Sequence, residues 1–205
     1  MGVRLRTERI GDVGWAFHRQ AVLYHEEFGY TRHFEVYVAR GLPDYLDSHD
    51  AERDRLWVAE LDGRPVGCIA VQHDKVREGW AKLRWYFVER EARGHGAGKA
   101  LMDAALAFAR EAGYTGMYLW TVSDLAAARN VYERYGFRLA EETAGCIWAP
   151  WANEQRWEKV LDDGARPVMA AAGRHSGLPD ARGPGRRDPS TSDGTTASGT
   201  REPLR

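Results

Sequence analysis

The sequence predicts a mixed α/β protein of the α+β kind, with a mostly antiparallel central sheet flanked by helices. Three observations lead there. Asp62-Gly63 sits between two β-forming runs, the signal of a two-residue hairpin. Residues 96–112, rich in Ala, Leu and Met, read as one long helix set between strands. All eight tryptophans lie between Trp15 and Trp157, which confines the core-forming material to one body.

Residues 3–7 alternate like a short strand, and Asp12 is expected to cap a helix running to about Phe28, with Trp15, Val22 and Leu23 on its apolar side. A second helix begins near Arg32; Gly41 and Pro43 are expected to break or restart it before Ser48. The hairpin strands cover residues 56–61 and 65–72, and residues 82–89 form a third β-run. Gly113 stops the long helix, and residues 116–121 are the next strand. Asp124 is expected to cap a helix that ends near Tyr135 and is closed by Gly136. Residues 137–142 and 155–161 are the last two strands.

The chain has 205 residues, of which 43% are hydrophobic, enough for one domain with a real core. The composition changes near Gly164. Residues 165–205 are rich in Gly, Pro, Ser, Thr and Arg, hold five of the eight prolines and contain no aromatic residue. Such a stretch cannot offset its ordering entropy, so a domain over 1–164 and a disordered tail over 165–205 are expected. Lys+Arg of 29 against Asp+Glu of 30 gives no electrostatic case for nucleic acid. Cys68 and Cys146 make no disulfide framework and read as small buried residues in a reducing compartment. The first residues lack a signal core and Arg6 breaks the myristoylation pattern; no apolar run is long enough to span a membrane. A soluble cytoplasmic protein without a membrane partner is expected.

The segment Arg93-Gly94-His95-Gly96-Ala97-Gly98-Lys99 lies between a strand and the start of the long helix. A helix N-terminus offers unpaired N–H groups and the positive end of the dipole, and the glycines let an anion come close to the backbone. A phosphate or pyrophosphate is the natural ligand. A Walker A loop is excluded, because Arg93 stands where its first glycine belongs and Ala100 follows Lys99. The dinucleotide fingerprint fails because Lys99 and Leu101 occupy its third-glycine positions. What matches is Arg-x-x-Gly-x-Gly, as Arg93, Gly96 and Gly98.

With this loop, and with Tyr132-Glu133-Arg134-Tyr135-Gly136-Phe137 after it, the body resembles the GNAT (GCN5-related) N-acetyltransferases. A nearer resemblance, to the acetyltransferase half of MarR–GNAT fusion proteins, rests on residues 81–84, 91–94, 112–114 and 119–121 and on His18-Arg19, Leu23-Tyr24 and Glu27-Phe28-Gly29. The chain has no helix-turn-helix module, so a regulator role does not carry over. The resemblance implies acetyl-CoA as co-substrate, its pyrophosphate held by Arg93, Gly94, His95, Gly96, Ala97, Gly98 and Lys99. It also implies a splayed strand pair binding the pantetheine arm along Tyr86, Phe87 and Val88, with a backbone N–H near Val88 facing the oxyanion. Tyr132 matches the family's general acid.

Relatives often carry a Glu in the strand before the loop; Arg84, Trp85 and Tyr86 stand there, so a water chain or Glu27 is left as base. His18 and His25 share a helical face, but nothing completes a metal site. The acceptor is expected to be a small-molecule amine of amino-acid type, met by His18, Arg19, Tyr24, Trp148 and Trp151, with Arg19 as a fork for its carboxylate and within reach of Glu27. A protein or peptide amine, and a non-catalytic acyl-CoA sensor, are the alternatives. A homodimer is an allowed assembly.

Overall fold

The computed structural model describes residues 2–161; the expected boundary at 164 and the tail at 165–205 lie outside them. The elements are β1 (Val3–Thr7), α1 (Asp12–Phe28), α2 (Arg32–Asp47), β2 (Arg55–Leu61), β3 (Arg64–His73), β4 (Trp80–Val88), α3 (Ala97–Glu111), β5 (Gly116–Val122), α4 (Ala126–Arg134), β6 (Arg138–Thr143) and β7 (Glu154–Val160). They build one seven-stranded sheet in the order β1-β2-β3-β4-β5-β7-β6. Every neighbouring pair is antiparallel except β4 with β5.

The hairpin between β2 and β3 turns as the sequence predicts. Asp62 at φ 52° and Gly63 at φ 77° are both left-handed, the geometry a tight two-residue turn requires. Each face of the sheet carries its own core. Ile69, Val71, Leu83, Met117 and Leu119 pack with Leu101 and Met102 of α3 on one face. Val58, Ala70, Trp85 and Phe87 pack with Leu23, Phe34 and Val38 of α1 and α2 on the other. Cys68 and Cys146 are both buried free thiols. Among the described residues no helix is long and apolar enough to cross a membrane.

Three local expectations are corrected. Asp12 does not cap α1; left-handed Gly11 holds that position. The Asp12 carboxylate instead accepts the Arg9 N–H at 2.6 Å and a forked contact from Arg6 at 2.5 and 3.0 Å, which ties α1 to β1. Nor does Asp124 cap α4, whose N-cap is Leu125; its carboxylate accepts the Tyr30 hydroxyl and the Trp151 indole, both at 2.9 Å. In the first case an arginine of the neighbouring strand and a backbone N–H just before the helix took the carboxylate, in the second the distant Tyr30 and Trp151. The third concerns α2, which runs unbroken through Gly41 and Pro43. Phe34, Val38, Gly41 and Tyr45 are buried on both sides of the proline, so tertiary packing of one helix face outweighs the lost backbone bond.

Candidate active site

The site begins with a parting of strands. β4 and β5 pair only at Trp80↔Gly116, Ala81↔Met117 and Lys82↔Tyr118. Beyond Lys82 they diverge, leaving two backbone edges free to bind an extended ligand in the manner of an added strand. A bulge marks the bend. On β3, Cys68 faces Phe87 and Ala70 faces Arg84, so β4 carries one residue more than its partner. Trp85 sits there at φ 51°, a strained backbone for a bulky residue. The extra residue also reverses the side-chain alternation. Ala81 and Leu83 belong to the α3 core, whereas Trp85 and Phe87 belong to the α1–α2 core. Lys82 and Arg84 therefore face α1 and α2, while Tyr86 and Val88 pack toward α3.

The glycine loop closes one end of the opening. Gly94 at φ 80° and Gly96 at φ 85° are left-handed, which turns the chain sharply from a short 3-10 turn at Arg90–Ala92 into α3. The first intrahelical bond is donated by Ala100 to Gly96. The N–H groups of Ala97, Gly98 and Lys99 thus lack a backbone partner, and no side chain caps them. Gly98 has a second reason to be glycine: a Cβ there would lie 2.8 Å from the Tyr86 hydroxyl, which donates to the Gly98 carbonyl at 3.2 Å. These N–H groups border a cleft of about 1080 Å³, lined also by Tyr86, Phe87, Val88, Arg93 and the first residues of α4. That cleft has the size, the anion-ready end and the open strand edges that an acyl-CoA needs.

Tyr132 of α4 stands beside the opening, with its ring 6.4 Å from that of Tyr86. Its hydroxyl makes no hydrogen bond to another described residue. Burial, reinforced by Tyr24 and Tyr86, pushes its pKa well above the ordinary phenol value, so the proton stays on at neutral pH. On the α1–α2 side lies a chamber of about 80 Å³ that Tyr132 borders; Tyr132 does not line the large cleft itself, which its neighbours Val131 and Tyr135 reach. Gln20, Tyr24, Tyr37, Lys82, Arg84 and Trp148 are among the polar residues of its wall, with Tyr86, Thr121 and Tyr132. Burial lowers the Lys82 ammonium to about 8 and raises Tyr24 and Tyr37 to about 12.

Residues 18–137, more than half of the chain, match the family described as acetyltransferase (GNAT). The chain belongs to the GNAT acetyltransferase family. Human N-acetyltransferase 8 is 31% identical over 124 residues, covering 58% of this chain and 55% of that protein. The N-acetylaspartate synthetase of Danio rerio is 37% identical over 87 residues, 42% of this chain and 30% of that protein. The chain thus spans about half the length of the first curated relative it matches. A Salmonella typhimurium acetyltransferase structure solved with acetyl-CoA superposes with a TM-score of 0.63 at 19% identity, covering 83% of this chain and 100% of that one. The ribosomal-protein-alanine N-acetyltransferase of Brucella melitensis gives 0.61 at 17% identity, over 77% and 99%. At such identities the likeness is one of fold, and the seven-stranded sheet flanked by four helices is the GNAT fold.

Within this GNAT frame the expected site residues separate. Tyr86, Phe87, Val88, Arg93, Gly94, Gly96, Ala97, Gly98 and Lys99 all border the large cleft, but His95 does not. His95 is exposed and contacts the Arg93 carbonyl at 3.1 Å. Tyr24 and Tyr86 border both cavities, Tyr132 and Trp148 the chamber alone. Trp151 borders neither; it is 59% exposed with its indole donated to Asp124. His18 is exposed and reaches neither cavity. Arg19 does not meet Glu27. Its fork is spent on buried Glu89, Nε to Oε1 at 2.6 Å and Nη2 to Oε2 at 3.0 Å. Glu27 in turn accepts Arg90 at 2.8 Å and Arg93 at 2.6 Å. Burial alone would raise its pKa, but these two arginines outweigh it and hold the carboxylate below its usual range. Lys82, Arg84 and Gln20 were missed from the sequence. Two cations alternating on a strand set for the interior were the available signal.

Proposed function

We propose that this chain is an acetyl-CoA-dependent N-acetyltransferase acting on a primary amine, with a small amino-acid-like metabolite as acceptor. One observation carries the reading: an anion-ready helix N-terminus and an unbonded phenol border the same parted strands, with a second small chamber behind them. The free N–H groups of Ala97, Gly98 and Lys99 hold the pyrophosphate. Arg93 is kept in place by Glu27 and by the Val88 carbonyl at 3.2 Å, so it braces the loop against α1 and β4. With its pKa lowered, Glu27 is a poor base, and we assign it to bracing Arg93. The uncovered β4 edge at Tyr86–Val88 pairs with the pantetheine arm and offers an N–H to the oxyanion.

The acceptor, held as the neutral amine, attacks the thioester carbonyl carbon. As the C–S bond breaks, Tyr132, whose ring lies 6.4 Å from that of Tyr86, gives its proton to the departing sulfur. The proton released by the nitrogen returns to Tyr132 through water in the chamber. A chamber of about 80 Å³ favours a metabolite over a peptide. By the segments at 81–84 and 91–94 we place the chain near the acetyltransferase half of MarR–GNAT fusions, and by composition in the cytoplasm.

The test is thiol release from acetyl-CoA with free amines and with peptides, in wild type and in Tyr132→Phe. Loss of the proton donor is expected to lower kcat by about 10²–10⁴ and to leave coenzyme A affinity by calorimetry within about twofold. Unchanged kcat in Tyr132→Phe would remove the tyrosine from the chemistry. Binding of acetyl-CoA without turnover of any amine or peptide would make the protein a sensor.

A further inference from the structure

The chamber on the α1–α2 side is built unlike a neutral cavity. Lys82 and Arg84 line it, and among the described residues no carboxylate does. Lys82 is half-buried yet forms no ion pair among the described residues; its ammonium stands 5.8 Å from the Tyr118 ring. Arg84 binds through one nitrogen only. Its Nη1 donates to Gln72 at 2.7 Å and to the Gly41 carbonyl at 3.4 Å and stands 3.7 Å from Asp44. Its Nη2 and Nε make no hydrogen bond to a described residue. The guanidinium lies so close to α2 that a Cβ on Gly41 would come within 2.6 Å of Nη2. The glycine in the middle of α2 is thus the clearance for this arginine.

Two further buried atoms lack partners: Gln20 Oε1 and Trp148 Nε1, on residues 9% and 6% exposed that both line the chamber. A buried polar atom left unpaired costs about 1–3 kcal/mol, so an orphan acceptor and an orphan donor in one cavity point to a ligand with the opposite groups. Beside hydroxyls that can give or accept, the unpartnered acceptor is Gln20 Oε1, and the N–H donors are those of Lys82, Arg84 and Trp148. An α-amino acid presents the matching set: an amino group that donates, and a carboxylate that accepts several hydrogen bonds and bears the countercharge.

We propose that this chamber recognises the amino-acid acceptor by its carboxylate, held between Lys82 and Arg84 with the Trp148 indole, while Gln20 Oε1 receives the amine. The assignment rests on the acetyltransferase reading and moves the carboxylate fork from Arg19, which Glu89 already occupies, to strand β4. The bulge at Trp85 makes it geometrically workable: it turns Lys82 and Arg84 toward α1 and α2, and Tyr86, which borders both cavities, toward α3.

Matched acceptors test it: alanine against ethylamine, and phenylalanine against phenethylamine, with thiol release as readout. Wild type is expected to show a KM at least about tenfold lower for each amino acid than for its decarboxylated partner. Lys82→Met should abolish most of that preference, raising KM for the amino acids and leaving KM for the bare amines and acetyl-CoA within about twofold. Gln20→Leu should instead raise KM for both members of each pair, because both carry the amine. Equal KM for amino acids and bare amines in wild type, or an unaltered preference in Lys82→Met, would overturn the proposal and leave the acetyltransferase reading standing. If no amine releases thiol, calorimetry with the amino acids decides: binding that Lys82→Met abolishes supports the chamber as an amino-acid site and ends the enzymatic reading, and no binding ends both.

Discussion

Lys82→Met is expected to make the protein more stable and worse at holding its acceptor. Burial brings the Lys82 pKa from 10.5 to about 8; Arg84 pushes the same way, and Asp74, Asp44 and Glu154 only partly oppose. At about 1.36 kcal/mol per pH unit, carrying this charge at pH 7 costs the fold about 3 kcal/mol relative to the unfolded chain. Met keeps the volume and removes the charge, so a gain of about 1–3 kcal/mol is expected at pH 7, or roughly 2–4 °C in Tm for each kcal/mol in a chain of this size. The sign with pH follows from proton counting. Between about 8 and 10.5 the unfolded lysine holds a proton that the folded one has lost, so wild-type stability rises with pH relative to the mutant. Above 10.5 both states are neutral and the advantage of Met vanishes. Urea unfolding of both proteins at pH 7 and near the upper end of that window measures the difference. A mutant less stable than wild type at pH 7, or a difference that does not shrink with pH, would refute the picture of an unpaired, half-buried ammonium.

Gly98→Glu is expected to abolish coenzyme A binding by calorimetry, because it sets a charge against the pyrophosphate at the start of α3; Gly98→Ala, which only crowds the Tyr86 hydroxyl, should weaken binding less, and equal losses would mean that packing alone is at stake. Gly41→Ala improves helix propensity by about 1 kcal/mol, yet its methyl displaces Arg84, so acceptor KM should rise without loss of Tm; an unchanged KM would show that the guanidinium position does not matter. Arg19→Ala should leave buried Glu89 unpaired and cost roughly 2–4 kcal/mol in thermal unfolding; a mutant as stable as wild type would contradict the paired geometry.

Local chemistry in the sequence determined a good deal by itself. Asp62-Gly63 specified a turn with two left-handed residues, because few other pairs accept that backbone, and the hairpin follows from it. The spacing Arg93, Gly96, Gly98 before an Ala- and Leu-rich run specified an uncapped helix start, because free N–H groups and small residues are local properties. Tyr132-x-x-x-Gly136-Phe137 placed a phenol one turn before a helix end, and that phenol stands at the opening. What depends on long-range partners was not legible. Arg19 was expected to meet Glu27 of its own helix, yet Glu27 lies about two turns on and is taken by Arg90 and Arg93, and Arg19 pairs with buried Glu89, 70 residues away. Gly41 and Pro43 read as a helix break because propensity is summed locally, whereas the packed face of α2 and the clearance for Arg84 are tertiary facts. The bulge at Trp85 left the least trace in the sequence. A single extra residue reverses a period-two pattern, and with it decides that Lys82 and Arg84 face α1 and α2 while Tyr86 packs toward α3. That choice is made by the pairing of β4 with β3, which no local run of residues encodes.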